Sequence, residues 1–204
     1  MYTPKAFGVD DEAAWELVRD AGAGFFVRAA NEGLRSAFAP VVVSGDATTL
    51  RAHVARANDF WRDLDEARVE VVILFLAASA YVSPSLYPSR EVSPDVVPTW
   101  NYAAVEVRGT LRVRDDDDWK REQVVAVTNH FESGRDVPWR VEDVDRDFLA
   151  RQLRAIVGLE VAVHAIEGKE KLSQNRPEVD RLNVRENFAS GSPRERDVAR
   201  RMRS

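Results

Sequence analysis

The segment "WNYAAVEVRGTLRVR" constrains the fold of this chain most strongly, because its polarity alternates from one residue to the next. Ala103, Val105, Val107, Leu111 and Val113 fall on one face of an extended strand, and charged or polar side chains fall on the other. Successive side chains of a strand point to opposite faces of a sheet, so the pattern predicts a half-buried antiparallel strand. Such a strand has one face against a core and one towards solvent.

Five other segments predict further strands. The runs "FFVRAA", "AFAPVVVS" and "TTLRAHVA" are separated by turn-like sequences, which indicates a three-stranded meander. The run "VEVVILFLA" is apolar at almost every position, as in a strand that a barrel wall or a subunit interface covers on both faces. The run "LEVAVHAI" predicts a last strand that ends at Ile166 and turns through Glu167 and Gly168.

Three helices are predicted beside these strands. The segment "DDEAAWELVRDAG" begins at Asp10 or Asp11 and ends at Gly22, and the segments "DDDDWKREQVVAVTNHFE" and "DRDFLARQLRAIVG" predict two more helices. About six strands with peripheral helices favour a mainly β fold, a small closed or split barrel, over a parallel sheet.

The composition limits the number of domains and the class of partner. A chain of 204 residues with 45% hydrophobic content can bury one sizeable core, so we expect a single domain over residues 1–190 and a disordered basic tail over residues 191–204. The formal charge of −5 argues against a body that follows a nucleic-acid backbone by bulk electrostatics. Without cysteine, thiolate chemistry is excluded. No window is apolar enough for a leader or a membrane span, which predicts a soluble cytoplasmic protein.

The acidic run and the histidines are better explained by structure than by chemistry. Residues Asp115 to Asp118 open a predicted helix, where the helix dipole stabilises carboxylates, so no metal is predicted. His130 falls on an exposed helix face, and His164 is the one polar side chain of an apolar stretch. We expect both histidines to have structural roles.

The segment "AHVARANDFWRDL" contains the first candidate binding cluster. Here a strand brings His53 to a turn that carries Arg56 and Asn58, just before a helix start. An imidazole, a guanidinium, an amide and free backbone donors suit a phosphate monoester. The alternative is a solvated turn in which Arg56 pairs with Asp59 or Asp63.

The segments "YVSPSLYP" and "PTWN" form a second cluster, rich in aromatic rings and hydroxyl groups. Its members are Tyr81, Ser83, Ser85, Tyr87, Thr99, Trp100 and Asn101. The first four occur at every second position, which predicts one face of an extended, proline-stiffened segment. Flat rings beside edge donors suit a planar heteroaromatic ligand. The alternative is a set of aromatic side chains that cap one end of a barrel.

The segment "KLSQNR" forms a third cluster, in which nearly every side chain can hydrogen-bond. Its members are Lys171, Ser173, Gln174, Asn175 and Arg176. A loop that only reverses the chain does not need so many hydrogen-bonding groups, which favours a ligand-binding role. The alternative is that the segment caps the next helix, with Asn175 as N-cap and Pro177 in the first turn.

The three clusters and their neighbouring segments together resemble a known family. The segments "MYTPKAF", "LRAHVARANDFWRDL", "AYVSPSLYPS", "VVPTWNYAAVEVRGTL", "LRAIVGLEV" and "EGKEKLSQNR", between Met1 and about Arg181, resemble the PaiB-type family, the FMN-binding negative transcriptional regulators. The resemblance implies a flavin-binding split barrel related to pyridoxamine phosphate oxidases and flavin reductases. It also implies a homodimer with FMN near the interface.

The resemblance implies a role for each cluster. Arg56, supported by His53 and Asn58, would hold the FMN phosphate, and the aromatic cluster would contact the ring system. Lys171 would lie near the pyrimidine edge of the flavin, where negative charge accumulates on reduction. Ser173, Gln174 and Asn175 would bond to the carbonyl and imide groups of the ring, and Arg176 would serve the phosphate or the dimer contact.

Two positions depart from the family pattern. Phe38 to Pro40 stand where the family carries a His-Leu-Pro type of segment, so a contact from that histidine is absent here. Leu86 stands where relatives often carry tryptophan. The phosphate-side segment is intact, so FMN binding is still expected.

Two functions of different class follow from these observations. The first is a flavin-bound repressor or sensor, as the family description implies. The second is a flavin-dependent oxidoreductase or flavin reductase that acts on a nicotinamide or a small substrate. DNA binding rests on the family description alone, since the sequence has no helix-turn-helix pattern and no basic recognition surface.

Overall fold

The computed structural model describes residues 1–64 and 68–202, and the chain divides into two compact units. The first, here called the terminal unit, comprises Met1–Ala21, Phe75–Glu106 and Glu167–Ser204. The second, here called the barrel unit, comprises Gly22–Leu74 and Val107–Ile166. The single domain predicted over residues 1–190 stays a prediction.

Seven strands and five α-helices occur in the described residues. The strands are β1 (Gly8–Val9), β2 (Ala23–Ala30), β3 (Gly33–Val43), β4 (Thr49–Ala55), β5 (Val69–Val82), β6 (Thr99–Arg114) and β7 (Ile156–Lys171). The helices are α1 (Asp11–Ala21), α2 (Asp117–Glu132), α3 (Arg146–Arg154), α4 (Glu178–Ala189) and α5 (Pro193–Arg201). The sheet order is β1-β7-β4-β3-β2-β5-β6, and β7 also pairs with β6. The predicted mainly β fold with peripheral helices is confirmed.

The barrel unit contains the predicted meander. Strands β2 and β3 pair antiparallel, with Phe25 opposite Phe38, and β3 pairs antiparallel with β4. Strand β4 continues the sheet to β7, where His53 lies opposite Gly158. Because β2 also pairs with β5 and the sheet order ends with β6 returning to β7, six strands close on themselves.

The alternation in β6 fixes which face is buried. Ala103, Val105, Val107 and Leu111 are almost completely buried, as predicted, whereas Arg112 points to solvent. In the apolar strand β5 alternate residues are buried, and Leu74 on the opposite face is exposed. Cover of that face by a subunit interface stays a prediction.

Helix α2 begins where the acidic run predicted. The N-cap residue Asp116 accepts a hydrogen bond of 2.8 Å from the backbone N–H of Trp119. The predicted extent of the third helix is wrong at its end, because α3 stops at Arg154 and Ile156 begins β7. The segment 156–158 pairs with the end of β4, and this ladder outweighs its helical pattern.

In the terminal unit the last strand is longer than predicted. Instead of turning at Glu167 and Gly168, β7 runs on to Lys171, because β1 pairs with it through Gly8 opposite Lys169. Helix α1 spans 11–21 as expected and buries an apolar face of Ala14, Trp15, Leu17 and Val18.

The predicted disordered tail is wrong for residues 193–201, which form α5. Ser192 and Glu195 form a capping box at its start, and Val198 and Ala199 are buried. Residues 203–204 lie outside the described part. In the described residues, no helix is both long and apolar enough to cross a membrane.

Gly109 permits the close approach of β6 and β7 in the barrel unit. A Cβ atom at this position would lie 2.3 Å from the carbonyl oxygen of Ala162 and 2.7 Å from a methyl group of Val161. Backbone cannot move aside cheaply, so we expect Gly109→Ala to lower the free energy of unfolding by about 1–3 kcal/mol in chemical denaturation. Gly45→Ala is the matched control, since a Cβ there meets nothing within 4 Å. Equal stability of the two variants would contradict this prediction.

Candidate functional site

A small cavity lies in the terminal unit beside the start of β6 and the end of β7. Its volume is about 120 Å³. The residues that line it are Val97, Pro98, Thr99, Asn101, Lys171, Ser173, Asn175 and Arg176. The structure thus brings together members of the second and third clusters, and no carboxylate is among these lining residues.

Lys171, the last residue of β7, presents an ammonium group to this cavity. It donates hydrogen bonds to the hydroxyl of Thr99 and, at 3.0 Å, to the carbonyl of Trp100. Within the described residues, no carboxylate forms an ion pair with it. Desolvation by burial lowers the pKa of Lys171, and the positive charges of Lys169 and Arg176 lower it further.

Asn101 and Ser173 form a buried polar pair behind the cavity. The amide of Asn101 donates to the Ser173 hydroxyl at 2.9 Å, and that hydroxyl is also placed to donate to the Asn101 carbonyl oxygen at 3.0 Å. Met202, just after α5, places its sulfur 3.8 Å from the same amide nitrogen. Ser173 has φ of 65°, a left-handed conformation that is uncommon for residues other than glycine. Because the pair is fully buried, it fixes the loop after β7 against β6.

Gln174 and Asn175 differ in what they contact. The Gln174 side chain closes the loop on itself, since it accepts from the Leu172 N–H at 2.6 Å and donates to the Glu170 carbonyl at 2.6 Å. Its side chain is therefore committed to the protein. Asn175 lines the cavity and is not the N-cap of the next helix, because α4 begins after Pro177 with no side-chain cap.

Arg176 lies over the ring of Tyr87, with its guanidinium carbon 4.5 Å from the ring centroid. Tyr87 is fully buried, and its hydroxyl finds no well-oriented hydrogen-bond partner among the described residues. Burial raises the pKa of Tyr87, and the charge of Arg176 opposes part of that shift. The stacked geometry holds the guanidinium at the cavity without a carboxylate.

The predicted period-two face of the second cluster is wrong. Ser83 is the N-cap of a 3₁₀ turn, Pro84–Leu86, and its hydroxyl oxygen accepts from the Ser85 N–H at 3.2 Å. Because this turn breaks the extended conformation, Tyr87 is buried while Tyr81 is half exposed. The rings of Tyr81 and Trp100 lie edge to face with centroids 6.3 Å apart. These two rings remain an exposed aromatic surface.

In the barrel unit, Arg56 is committed to internal contacts. Its guanidinium makes a two-pronged ion pair with Asp115, with one bond of 2.9 Å, and also donates to the carbonyls of Arg154 and Ile156 at 2.7 and 3.1 Å. The alternative pairing with Asp59 or Asp63 is wrong, because those carboxylates pair with Arg62 and Arg35. The role of Arg56 in phosphate binding stays a prediction.

His53 and Asn58 also have structural surroundings. The Asn58 side-chain oxygen accepts from the Phe60 N–H at 2.8 Å and caps the 3₁₀ turn Asp59–Trp61. Burial lowers the pKa of His53, which favours the neutral ring, and its Nδ1 atom has no partner among the described residues. This ring nitrogen is a buried hydrogen-bonding atom of the cluster that no described residue satisfies.

The two other histidines lie where the sequence predicted. His130 is exposed on α2, and His164 on β7 contacts the Thr110 hydroxyl through Nε2 at 3.0 Å. Glu70 lies 3.9 Å from its Nδ1 atom. His164 and Thr110 are among the residues that line a groove of about 280 Å³ in the barrel unit.

Sequence reasoning missed two residues that support the cavity from outside its lining. Tyr87, on which Arg176 stacks, was placed on an extended face, and Met202, which contacts Asn101, lies in the segment expected to be disordered. Val97 and Pro98, just before Thr99, also line the cavity, and nothing in the sequence distinguishes them from ordinary loop residues.

Comparison with known proteins identifies relatives along most of the chain. The family model described as "Putative FMN-binding domain" matches residues 1–165. Protease synthase and sporulation protein PAI 2 of Bacillus subtilis (strain 168) is 33% identical over 187 residues, which cover 90% of this chain and 87% of that protein.

Two solved structures have a similar fold. The FAD and heme binding protein from Mycobacterium smegmatis superposes with a TM-score of 0.59 at 19% identity, over 82% of this chain and 74% of that one. The flavocytochrome Anf3 from Azotobacter vinelandii gives a TM-score of 0.56 at 12% identity, over 79% and 67%. With the closed sheet described above, these likenesses confirm the predicted split β-barrel.

Asp115 is the acidic partner of Arg56, and we expect its substitution to lower the free energy of unfolding measurably. Arg56 lowers its pKa below the ordinary value of 3.8. Solvent screens the pair with Arg56, because both side chains are more than a third exposed, but Asp115 also bonds the buried ammonium of Lys120 at 3.0 Å, so we expect Asp115→Asn to cost about 1–2 kcal/mol at neutral pH. A depressed carboxyl pKa stabilises the fold above the unfolded value of 3.8, so the difference between wild type and variant should shrink below pH 3.8 and vanish once the pH passes the lower pKa of the folded state. Denaturation at several pH values tests this, with exposed Asp136→Asn as control. A pH-independent difference would contradict it.

Proposed function

The chain belongs to the FMN-binding domain family that its residues 1–165 match, and we propose that it acts as a flavin-bound homodimer of PaiB type that represses transcription. FMN is its cofactor. When bound, the flavin supplies one- and two-electron redox chemistry, and the protein supplies binding, orientation and electrostatics. A repressor of this type would couple the presence or redox state of the flavin to DNA binding.

The observation that carries the flavin proposal is the exposed aromatic pair beside a cationic cavity in the terminal unit. Tyr81 and Trp100 offer ring faces and edges for a planar ligand. Lys171 bonds the Trp100 carbonyl, so its positive charge lies beside that aromatic surface. Aromatic surface next to a few fixed polar groups is the usual composition of a cofactor site.

An exposed apolar row in the barrel unit supports the homodimer. Phe25 lies opposite Phe38 on β3 and opposite Leu74 on β5, so the three side chains form one row across adjacent strands. They are 57%, 61% and 45% exposed. The rings of Phe25 and Phe38 are in contact, with centroids 4.8 Å apart. A second copy of the chain, related by a two-fold axis, would bury this row against its own equivalent.

We expect purified protein to bind FMN and to shift promoter DNA. The test is a mobility-shift assay at physiological salt with duplex DNA from the promoter of the protein's own gene, and with mixed-sequence DNA of equal length as control. Selective binding that changes between apo and FMN-loaded protein supports the repressor. Anaerobic bleaching of the flavin by NADH or NADPH, together with no selective DNA shift, would instead support the oxidoreductase.

We expect the double substitution Phe25→Lys and Phe38→Lys to convert the dimer into a monomer, because two buried ammonium groups without partners are strongly unfavourable at an apolar interface. Light scattering or sedimentation velocity measures the mass. Val137→Lys, on an exposed loop of the same unit, is the control and should leave the dimer intact. A wild-type protein that is monomeric with FMN bound would refute the proposal.

A further inference from the structure

The terminal-unit cavity is small, with a volume of about 120 Å³, and it has room for several water molecules. A phosphate group, with one central atom and four oxygens, has a suitable size.

The charge of the lining favours an anion. Lys171 and Arg176 are both cationic, and no carboxylate of the described residues forms an ion pair with either side chain. The other polar groups of the lining, Thr99, Asn101, Ser173 and Asn175, are neutral hydroxyls and amides. Burial lowers the pKa of Lys171, the charge of Arg176 lowers it further, and an oxyanion between the two cations would relieve their repulsion. In the first cluster, by contrast, Asp115 already neutralises Arg56.

The two cations are also held in place before any ligand binds. Arg176 stacks on the buried ring of Tyr87, and Lys171 is tied to Thr99 and to the Trp100 carbonyl. The Asn101–Ser173 pair fixes the loop that joins them. Side chains that are already ordered lose little entropy on binding, which strengthens affinity for a small ligand.

We propose that this cavity binds a phosphate group between Lys171 and Arg176. One source of this phosphate group is the 5′-phosphate of FMN. For that source the inference rests on the proposed flavin function, and the ring system lies outside the cavity. The other source is free phosphate or the phosphate group of a second ligand. With FMN as the source, the cavity takes the phosphate role that the sequence analysis predicted for Arg56.

Titration calorimetry on the full chain separates these sources. Apo protein is titrated with inorganic phosphate, with FMN and with riboflavin, and the FMN-loaded protein with phosphate. The variants are Arg176→Gln and Lys171→Met, with Arg194→Gln as matched control, because Arg194 is an exposed arginine of α5 that does not line the cavity. Circular dichroism and riboflavin affinity check that each variant is folded.

If the FMN phosphate occupies the cavity, each cavity variant should weaken FMN at least about tenfold and leave riboflavin unchanged, and phosphate should compete with FMN. If a separate phosphate binds, it should bind apo and FMN-loaded protein equally, and each cavity variant should weaken it at least about tenfold. Either result supports the site.

The proposal is overturned if phosphate binds to neither form while FMN and riboflavin lose affinity equally in Arg176→Gln. It is also overturned if phosphate binds wild type, both cavity variants and Arg194→Gln with the same affinity. A protein that binds phosphate through these residues but binds neither flavin would refute the flavin function and keep the phosphate site.

Discussion

The closure of β6 against β7 is the constraint on which the barrel unit depends. Gly109 lets the two backbones approach where a single methyl group would collide with the carbonyl of Ala162. Six strands thereby pair in a ring, and every strand of that ring has a hydrogen-bonded neighbour on both sides. Phe26 on β2, Leu50 on β4 and Ile73 on β5 are almost completely buried.

Arg56, Lys171 and Arg176 differ in whether a carboxylate of the described residues pairs with their positive charge. Arg56 is neutralised by Asp115 and joins the end of β4 to Arg154 and Ile156, so its charge stabilises the fold. Lys171 and Arg176 have hydroxyl, carbonyl and aromatic partners instead. Neutral partners orient a cation without cancelling its charge, and an oriented, uncancelled charge is what an anionic ligand requires.

The sequence predicted what depends on local periodicity and failed where distant residues decide. The alternation of β6 and the apolar face of α1 are local patterns, and both were predicted correctly. The extension of β7 to Lys171 depends on β1, which lies more than 150 residues earlier in the chain and leaves no mark on the segment 167–171. The partner of Arg56 was misjudged for the same reason, because Asp115 is 59 residues away whereas Asp59 and Asp63 are close in sequence.

The third cluster was recognised because its composition is unusual for a loop, but composition did not indicate that the Gln174 side chain is bonded to the loop's own backbone.

The long sequence separations within the terminal unit have a consequence for the order of folding during synthesis. The Gln174 amide bonds to the carbonyl of Ala6 across 168 positions, and Asn101 contacts Met202 across 101. Contacts of such high separation form late, since a long loop must close before they contribute. On the ribosome, the segments of the barrel unit emerge before α5, and the cavity beside Asn101 is complete only when residue 202 has been released. The contact that supports this cavity from α5 is therefore a late one, and a nascent chain stalled before α5 would present the barrel strands without it.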